Sequence, residues 1–390
     1  MKRKRLAILT YSLASGGAER VVSVLLPELK KWFDVTLVLM NEEIFYEIPE
    51  GVRIRYLGHS DPSEPGWKKL LKLPFLARAY RKFCREEGIE ISLSFMTRPN
   101  YINLLAKKSG SDIRTIISER SMPSKQYGYP GITSYLNRFL IRRLYPLADR
   151  IVANSEGNRQ DLIEHFDLLS EKITTIYNPF DVEKIREMME NAPPFEKKGF
   201  FAFITVGRVD VGKNHRLLVE ALATLGKEIP AKLIIVGEGP LDEELRRYVK
   251  HLGIEEKILW AGRQSNPFVW MGFADCFVFG SNHEGFPNVL VEALACGLPV
   301  ISTDCLSGPR EILAMETNYN RPTQGYRIVG HGLLIETGNV GAMAAAMKEV
   351  YNNILLHGKL VNTAKKRAED FEKSKIVRHF IDLLEGREFE

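Results

Sequence analysis

The feature that most constrains this chain is an alternation that runs through it twice. Short runs rich in Val, Ile, Leu and Phe alternate with amphipathic stretches of helical period across 390 residues. In the first half the strand-like runs are 6–10, 35–39, 53–56, 91–95, 115–118 and 150–153. In the second they are 200–206, 232–236, 258–260, 276–279, 299–302 and 332–335. Helical stretches such as 18–31, 213–225 and 242–251 lie between them. Near-continuous apolar strands separated by helices imply parallel sheets covered on both faces. Twelve strands are too many for one comfortable open sheet, so the pattern predicts two doubly wound α/β domains. Asn178-Pro179 closes a strand, and 190–198 (ENAPPFEKK) has the Pro-rich, charged composition of a linker. The expected division is an N-terminal domain 1–180, a C-terminal domain 181–375, and a final helix 376–390 able to pack back on the first domain. Ligands of doubly wound sheets sit at the carboxyl ends of the strands, so a cleft between two facing domains is the expected site.

Composition narrows the class. The hydrophobic fraction is 45% and the charged fraction 26%, which suits folded soluble domains and excludes disorder, collagen and coiled coil. The net charge of +5 is uneven. Residues 1–180 carry 28 Lys and Arg against 20 Asp and Glu, and 181–390 carry 26 against 29. An anionic partner should therefore meet the N-terminal half first. No nucleic-acid motif accompanies that charge, so nucleic acid is not an expected partner. None of the four cysteines forms a C-x-x-C pair, and each lies in or beside an apolar run, as buried thiols in a reducing cytosol would. The start, MKRKRLAILTYSLAS, resembles a signal peptide, but its apolar core is short and runs into a glycine pair; a first strand is the better reading. No run of 18 apolar residues is present, so no membrane span is expected.

Three motifs fall at strand ends. Ser15-Gly16-Gly17-Ala18-Glu19-Arg20 follows the first strand and opens a helix. Paired glycines admit a ligand close to the backbone, and a helix N-terminus offers N–H groups to an anion; a plain capped turn reads equally well. Gly207-Arg208-Val209-Asp210-Val211-Gly212-Lys213-Asn214 nearly matches a phosphate loop. Asn214 stands where a magnesium-binding hydroxyl belongs, so a metal-dependent nucleotide hydrolase is disfavoured. Arg208 and Lys213 would suit a diphosphate held by cations, or a solvated charged turn. The third is His283-Glu284-Gly285-Phe286-Pro287-Asn288-Val289-Leu290-Val291-Glu292. Pro287 suits a first helical turn. Glu284 and Glu292, about two turns apart, could hold two hydroxyls of one extended ligand, or be two surface glutamates.

Together these motifs resemble the retaining family 4 glycosyltransferases. Glu284 and Glu292 match that family's E-x7-E pattern, Gly207-Arg208 with Lys213-Asn214 its leaving-group clamp, and residues 15–20 its glycine loop. The stretch 302–313 (STDCLSGPREIL) is similar to a branch that builds bacterial surface polysaccharides and lipid-linked oligosaccharides. The resemblance implies the GT-B architecture: two facing Rossmann-like domains, the second binding a nucleotide-diphosphate sugar. Arg208 and Lys213 would contact the diphosphate, Glu292 the ribose and Glu284 a donor-sugar hydroxyl. Arg208, Lys213 and Glu284 are thus the catalytic candidates. Gly285, Phe286, Pro287 and Asn288 would present backbone to the sugar. Gly237, Glu238 and Arg263 would line the nucleotide pocket, and Gly16 and Gly17 would close over the phosphates. A UDP-linked N-acetylhexosamine is the implied co-substrate, with no metal and no other cofactor, and a polyprenyl-diphosphate saccharide the implied acceptor. A non-catalytic sugar-nucleotide or polyanion binder of the same fold is the alternative.

The chain departs from the family at Ile116-Ile117-Ser118-Glu119-Arg120-Ser121, where some relatives carry histidine after the glutamate. Arginine cannot shuttle protons near neutral pH. Glu119 and Arg120 are therefore candidates for an acceptor or phosphate contact, or a salt bridge, and a phosphate oxygen of the donor becomes the candidate proton acceptor. Finally, 67–85 (WKKLLKLPFLARAYRKFCR) carries seven basic residues and no acidic one. Trp67, Lys68, Lys69, Lys72, Arg78, Arg81 and Lys82 could lie on an anionic membrane, joined by Arg138, Arg142 and Arg143, or form a solvated face. The implied location is cytoplasmic, peripheral on the inner face of the cell membrane.

Overall fold

The computed structural model describes residues 3–14, 16–110, 112–190, 197, 199–226, 229–316, 318–319 and 321–387. Ser15 and most of the 190–198 linker lie outside these. The chain divides into two compact units, Met1–Pro179 with Lys373–Glu390, and Phe180–Glu372. The first boundary falls one residue before the expected 181, and the C-terminal segment starts three residues before the expected 376.

The first unit holds β1 (Arg5–Thr10), β2 (Asp34–Leu39), β3 (Arg53–Tyr56), β4 (Ile91–Phe95), β5 (Arg114–Glu119), β6 (Arg150–Ala153) and β7 (Ile173–Thr175). They form one parallel sheet in the order β3-β2-β1-β4-β5-β6-β7. The second unit holds β8 (Phe201–Val206), β9 (Ala231–Val236), β10 (Ile258–Gly262), β11 (Cys276–Phe279), β12 (Val300–Thr303), β13 (Tyr326–Val329) and β14 (Gly332–Ile335). Their order is β10-β9-β8-β11-β12-β14-β13, parallel except for the last pair. Two of these strands escape the sequence reading. β7 is three residues long, and β13 is a four-residue, largely exposed edge strand set only two residues ahead of β14.

Strand β1 shows why these runs sit in the middle of a sheet. Leu6 and Ile8 join one apolar cluster, while Ala7 and Leu9 join another on the opposite face. Side chains alternate along a strand, so a run apolar at every position needs cover on both sides. Part of that cover is the C-terminal helix Lys373–Glu385. Its Ile376, Val377, Phe380, Ile381 and Leu384 pack in the cluster of Val21, Leu25 and Leu29. Phe380 also meets Phe95 with ring centroids 6.4 Å apart. Burying an aromatic ring of this size contributes about 1.5–3 kcal/mol. All four cysteines are buried free thiols. Among the described residues no helix is long and apolar enough to cross a membrane.

In both sheets the order reverses between the first and fourth strands of the unit, β1 and β4, then β8 and β11. The crevice outside their carboxyl ends is where an open α/β sheet takes ligands. The loops after β1, β8 and β11 carry the three motifs.

Candidate functional site

In the second unit the loops after β8, β9 and β10 are laced together by backbone. Gly207 N–H donates to Val236 O at 2.9 Å, Gly237 N–H to Gly262 O at 2.8 Å, and Leu241 N–H to Val209 O at 3.2 Å. Gly237 has φ +139, and a Cβ there would lie 2.0 Å from Gly207 O; one on Gly239 would lie 2.2 Å from Val209 O. Only glycine allows this approach. Glu238 Oε1 accepts from Arg263 N–H at 3.2 Å. The three loops holding Arg208, Glu238 and Arg263 are therefore fixed side by side.

The loop after β8 ends in a cap. Asn214 takes φ +46, which asparagine tolerates better than most residues, and its side chain accepts from Leu217 N–H at the start of helix His215–Thr224. Its amide also donates to Asn282 Oδ1 at 3.1 Å. The position that a phosphate loop gives to a metal-binding hydroxyl serves here to start a helix and to tie two loops together. Asp210 Oδ1 accepts from Lys213 N–H at 3.0 Å, which orients the lysine. Lys213 Nζ lies 2.6 Å from Glu284 Oε1 and 5.2 Å from the Phe279 ring centroid. Arg208 differs: its side chain is 71% exposed, and its nearest anion is Asp210 Oδ2 at 3.9 Å.

The loop after β11 is held by hydroxyls that the sequence reading did not single out. Ser281 Oγ donates to Glu284 Oε1 at 2.6 Å. Thr303 Oγ1 donates to Ser281 O at 2.6 Å, and Ser307 Oγ to Gly285 O at 2.6 Å. Gly308, at φ +87, brings its backbone so close to Pro287 that a Cβ would lie 2.3 Å from Pro287 Cδ. Pro287 is the cap of helix Asn288–Ala295 rather than a residue of its first turn. The Phe286 ring is buried against Phe371, centroids 5.6 Å apart, so only its backbone could meet a ligand. Glu292 is buried on the helix, and Gly285 and Asn288 are partly accessible.

His215 lies just beyond the Asn214 cap, 3% exposed, and neither ring nitrogen has a hydrogen-bond partner among the described residues. Burial first, then the nearby Lys213 charge, pulls its pKa down to about 4. It is neutral at pH 7.

In the first unit Gly16 caps helix Gly17–Leu29. Glu19 folds back over it, so that a Cβ on Gly16 would lie 2.2 Å from Glu19 Oε2. Burial raises the Glu19 pKa. The glycine turn thus already faces a carboxylate of its own helix. Glu119 is 1% exposed and heavily engaged. It accepts from Thr97 Oγ1 at 3.3 Å, Ser121 Oγ at 3.0 Å, Arg120 N–H at 3.0 Å and the Tyr145 hydroxyl. Burial raises its pKa in spite of these bonds. Arg120 donates to Ser118 Oγ at 3.2 Å and to Asn178 Oδ1, and its guanidinium stands 5.7 Å over the Phe95 ring. Burial pulls its pKa down to about 9 against the opposing pull of Glu119.

The basic segment forms two helices, Gly66–Leu71 and Leu73–Glu86, with Pro74 in the first turn of the second. Leu73, Ala77, Tyr80, Phe83 and Cys84 face the core. Trp67, Leu71 and Phe75 stay exposed among the lysines and arginines. Lys68 Nζ lies 5.6 Å from the Trp67 ring centroid, Lys69 donates to Pro62 O at 2.7 Å, and Lys72 pairs with Glu64. Arg78, Arg81 and Lys82 are on the second helix. A Cβ on Gly66 would lie 2.9 Å from Thr133 Cγ2, so helix Ile132–Leu144 begins beside it. That helix adds exposed Ile132, Tyr135 and Phe139.

Fold and motifs together define a glycosyltransferase of GT-B architecture. Residues 186–367 match the family model described as glycosyl transferases group 1, and residues 15–184 that of glycosyltransferase family 4. The chain belongs to glycosyltransferase family 4. It is 42% identical to the N-acetylgalactosamine-N,N'-diacetylbacillosaminyl-diphospho-undecaprenol 4-alpha-N-acetylgalactosaminyltransferase of Campylobacter jejuni, over 98% of this chain and 100% of that one. A second Campylobacter jejuni protein, GalNAc-alpha-(1->4)-GalNAc-alpha-(1->3)-diNAcBac-PP-undecaprenol alpha-1,4-N-acetyl-D-galactosaminyltransferase, is 28% identical over 97% and 98%. Among solved structures, sucrose-phosphate synthase of Thermosynechococcus elongatus superposes with TM-score 0.79 at 17% identity, covering 98% of this chain and 99% of that one. Anabaena HepE in complex with UDP and glucose superposes with TM-score 0.75 at 17% identity, covering 98% and 100%.

Proposed function

We propose that this enzyme moves an N-acetylhexosamine, N-acetylgalactosamine foremost, from a uridine-diphosphate sugar to a polyprenyl-diphosphate-linked saccharide with retention at the anomeric carbon. The observation that carries the reading is the Lys213–Glu284 pair at the switch point of the second sheet, in a chain 42% identical end to end with a transferase named for that sugar and lipid.

The chemistry follows from charge. Breaking the anomeric bond develops negative charge on the leaving diphosphate. Arg208, exposed and weakly tied, and Lys213, oriented by Asp210, are the cations to stabilise it. When the diphosphate takes Lys213, the Glu284 carboxylate is released to accept a hydroxyl of the donor sugar. Glu292 holds the ribose, and Gly237, Glu238 and Arg263 line the base and ribose pocket. Two protein cations at the diphosphate supply the charge stabilisation that a metal would otherwise give, so turnover should not require one. Arg120 cannot act as a base and Glu119 is already engaged. The acceptor proton therefore passes to a phosphate oxygen of the donor on the same face. Gly16 and Gly17 serve the phosphates, which requires Glu19 to swing away from the turn.

The acceptor's lipid places the enzyme on the inner face of the cell membrane. The exposed Trp67, Leu71 and Phe75, interleaved with Lys68, Lys69 and Arg78, suit an anionic bilayer surface. The test is transfer by purified protein from UDP-N-acetylgalactosamine to an undecaprenyl-diphosphate disaccharide, with the anomer of the product read by NMR. Hydrolysis and transfer both absent across a panel of UDP- and GDP-sugars would sink the reading.

A further inference from the structure

At the switch point of the first sheet, β1 runs into Tyr11 and β4 into Met96, Thr97 and Arg98. Met96 has φ +74 and ψ +156, a region that residues with a Cβ avoid. Arg98 follows in the first turn of helix Thr97–Lys108. Its Nε, Nη1 and Nη2 are all out of contact with solvent and meet no acceptor among the described residues. Glu64 Oε2 is likewise buried and without a donor, its other oxygen being taken by Lys72. Glu64 and Tyr11 are the ionisable groups whose fields reach the Arg98 guanidinium. Tyr11 in turn feels Asp61 and Glu43. Its hydroxyl donates to Ser60 O at 3.2 Å and keeps its own lone pairs.

A guanidinium offers five N–H donors, and leaving such groups unpaired away from water is costly. Native interiors leave few of them, and those few call for an explanation. Here unpaired donors and an unpaired carboxylate oxygen occur together, at the end of the sheet where ligands bind. A phosphate could satisfy Arg98 but carries no donor for the unpaired Glu64 oxygen. A neutral sugar offers hydroxyl donors to Glu64 and hydroxyl or acetamido oxygens to Arg98, and so meets both.

We infer that Arg98, Glu64 and Tyr11 form a subsite for an uncharged N-acetylated sugar ring of the acceptor, with Arg98 and Glu64 setting acceptor specificity, resting on the assignment of a saccharide acceptor. Glu64 arrives on segment 57–65, which leads from β3 into the basic helix Gly66–Leu71.

The test uses the full chain saturated with UDP, with methyl N-acetyl-α-D-galactosaminide as probe and saturation-transfer NMR and calorimetry as readouts. Wild type binds the glycoside; Arg98→Gln and Glu64→Gln each weaken it at least tenfold, and inorganic pyrophosphate does not displace it. The thermal midpoint of Arg98→Gln stays level or rises, since unpaired donors are removed; a fall would mark Arg98 as a structural member and overturn the subsite. No glycoside binding by wild type, unchanged affinity in both variants, or displacement by pyrophosphate would each overturn it too. Arg98-dependent binding without any transfer supports the subsite and sinks the transferase reading instead.

Discussion

Lys213 and Glu284 stand 71 positions apart in the chain and 2.6 Å apart in space, where the loops after β8 and β11 meet. Each is the other's partner, and Ser281 completes the group from the same loop as the glutamate. If Lys213 serves the leaving diphosphate as proposed, a cation already paired in this way can be handed to that stronger anion without searching for it.

Lys213→Ala should lower turnover by about 10²–10³ at saturating donor, the usual loss when one preorganised donor to a leaving group is removed. The loss should fall on kcat more than on donor KM. Steady-state transfer kinetics check it, and a kcat near wild type would end the leaving-group role.

Arg208→Ala should separate catalysis from folding. The side chain is 71% exposed and its distance to Asp210 is long, 3.9 Å. Exposed substitutions of this kind move stability by less than about 0.5 kcal/mol. Urea unfolding should therefore match wild type while turnover drops. A parallel loss of stability would make Arg208 structural.

Gly237→Ala should damage both. The added Cβ meets Gly207 O at 2.0 Å, and φ +139 is strained for any other residue. A cost of about 1–3 kcal/mol in unfolding free energy is expected, because backbone on both sides has no rotamer to yield. Donor binding should weaken with it, as the lacing of the loops after β8 and β9 opens.

Acid should destabilise the second unit through His215. Its folded pKa of about 4 lies below the ordinary 6.5. Below pH 6.5 the unfolded chain takes up a proton that the folded imidazole refuses until about pH 4. Stability is therefore lost as pH falls through that window, by about 2 kcal/mol between pH 7.5 and 5 from this group alone. His215→Phe should flatten that limb by the same amount in denaturant melts at the two pH values. An unchanged slope would mean that the imidazole is not the group responsible.

Phe75→Ser and Tyr135→Ser should weaken flotation with anionic vesicles several-fold and leave transfer to a short-chain, detergent-soluble acceptor unchanged. Both side chains are largely exposed, 74% and 70%, and a bilayer rewards their burial at about 25 cal/mol per Å². Equal flotation of variants and wild type at low salt would remove the membrane face.

The sequence by itself determined twelve of the fourteen described strands and the motif positions. An apolar run such as Leu6–Leu9 cannot be stable unless both its faces are covered, and that local rule is written in residue order. That Arg208, Lys213 and Glu284 fall in loops at strand ends was legible for the same reason, since each follows directly on an apolar run. Tertiary structure alone decided who meets whom. It paired Lys213 with Glu284, and gave Ser281, Thr303 and Ser307 the task of holding the loop between them. It buried Glu119 among hydroxyls, and among the described residues it left the Arg98 guanidinium and one oxygen of Glu64 without a hydrogen-bond partner. Hydroxyl placement and burial depend on which segments of the folded chain come to lie side by side, and no spacing within one segment carries that information.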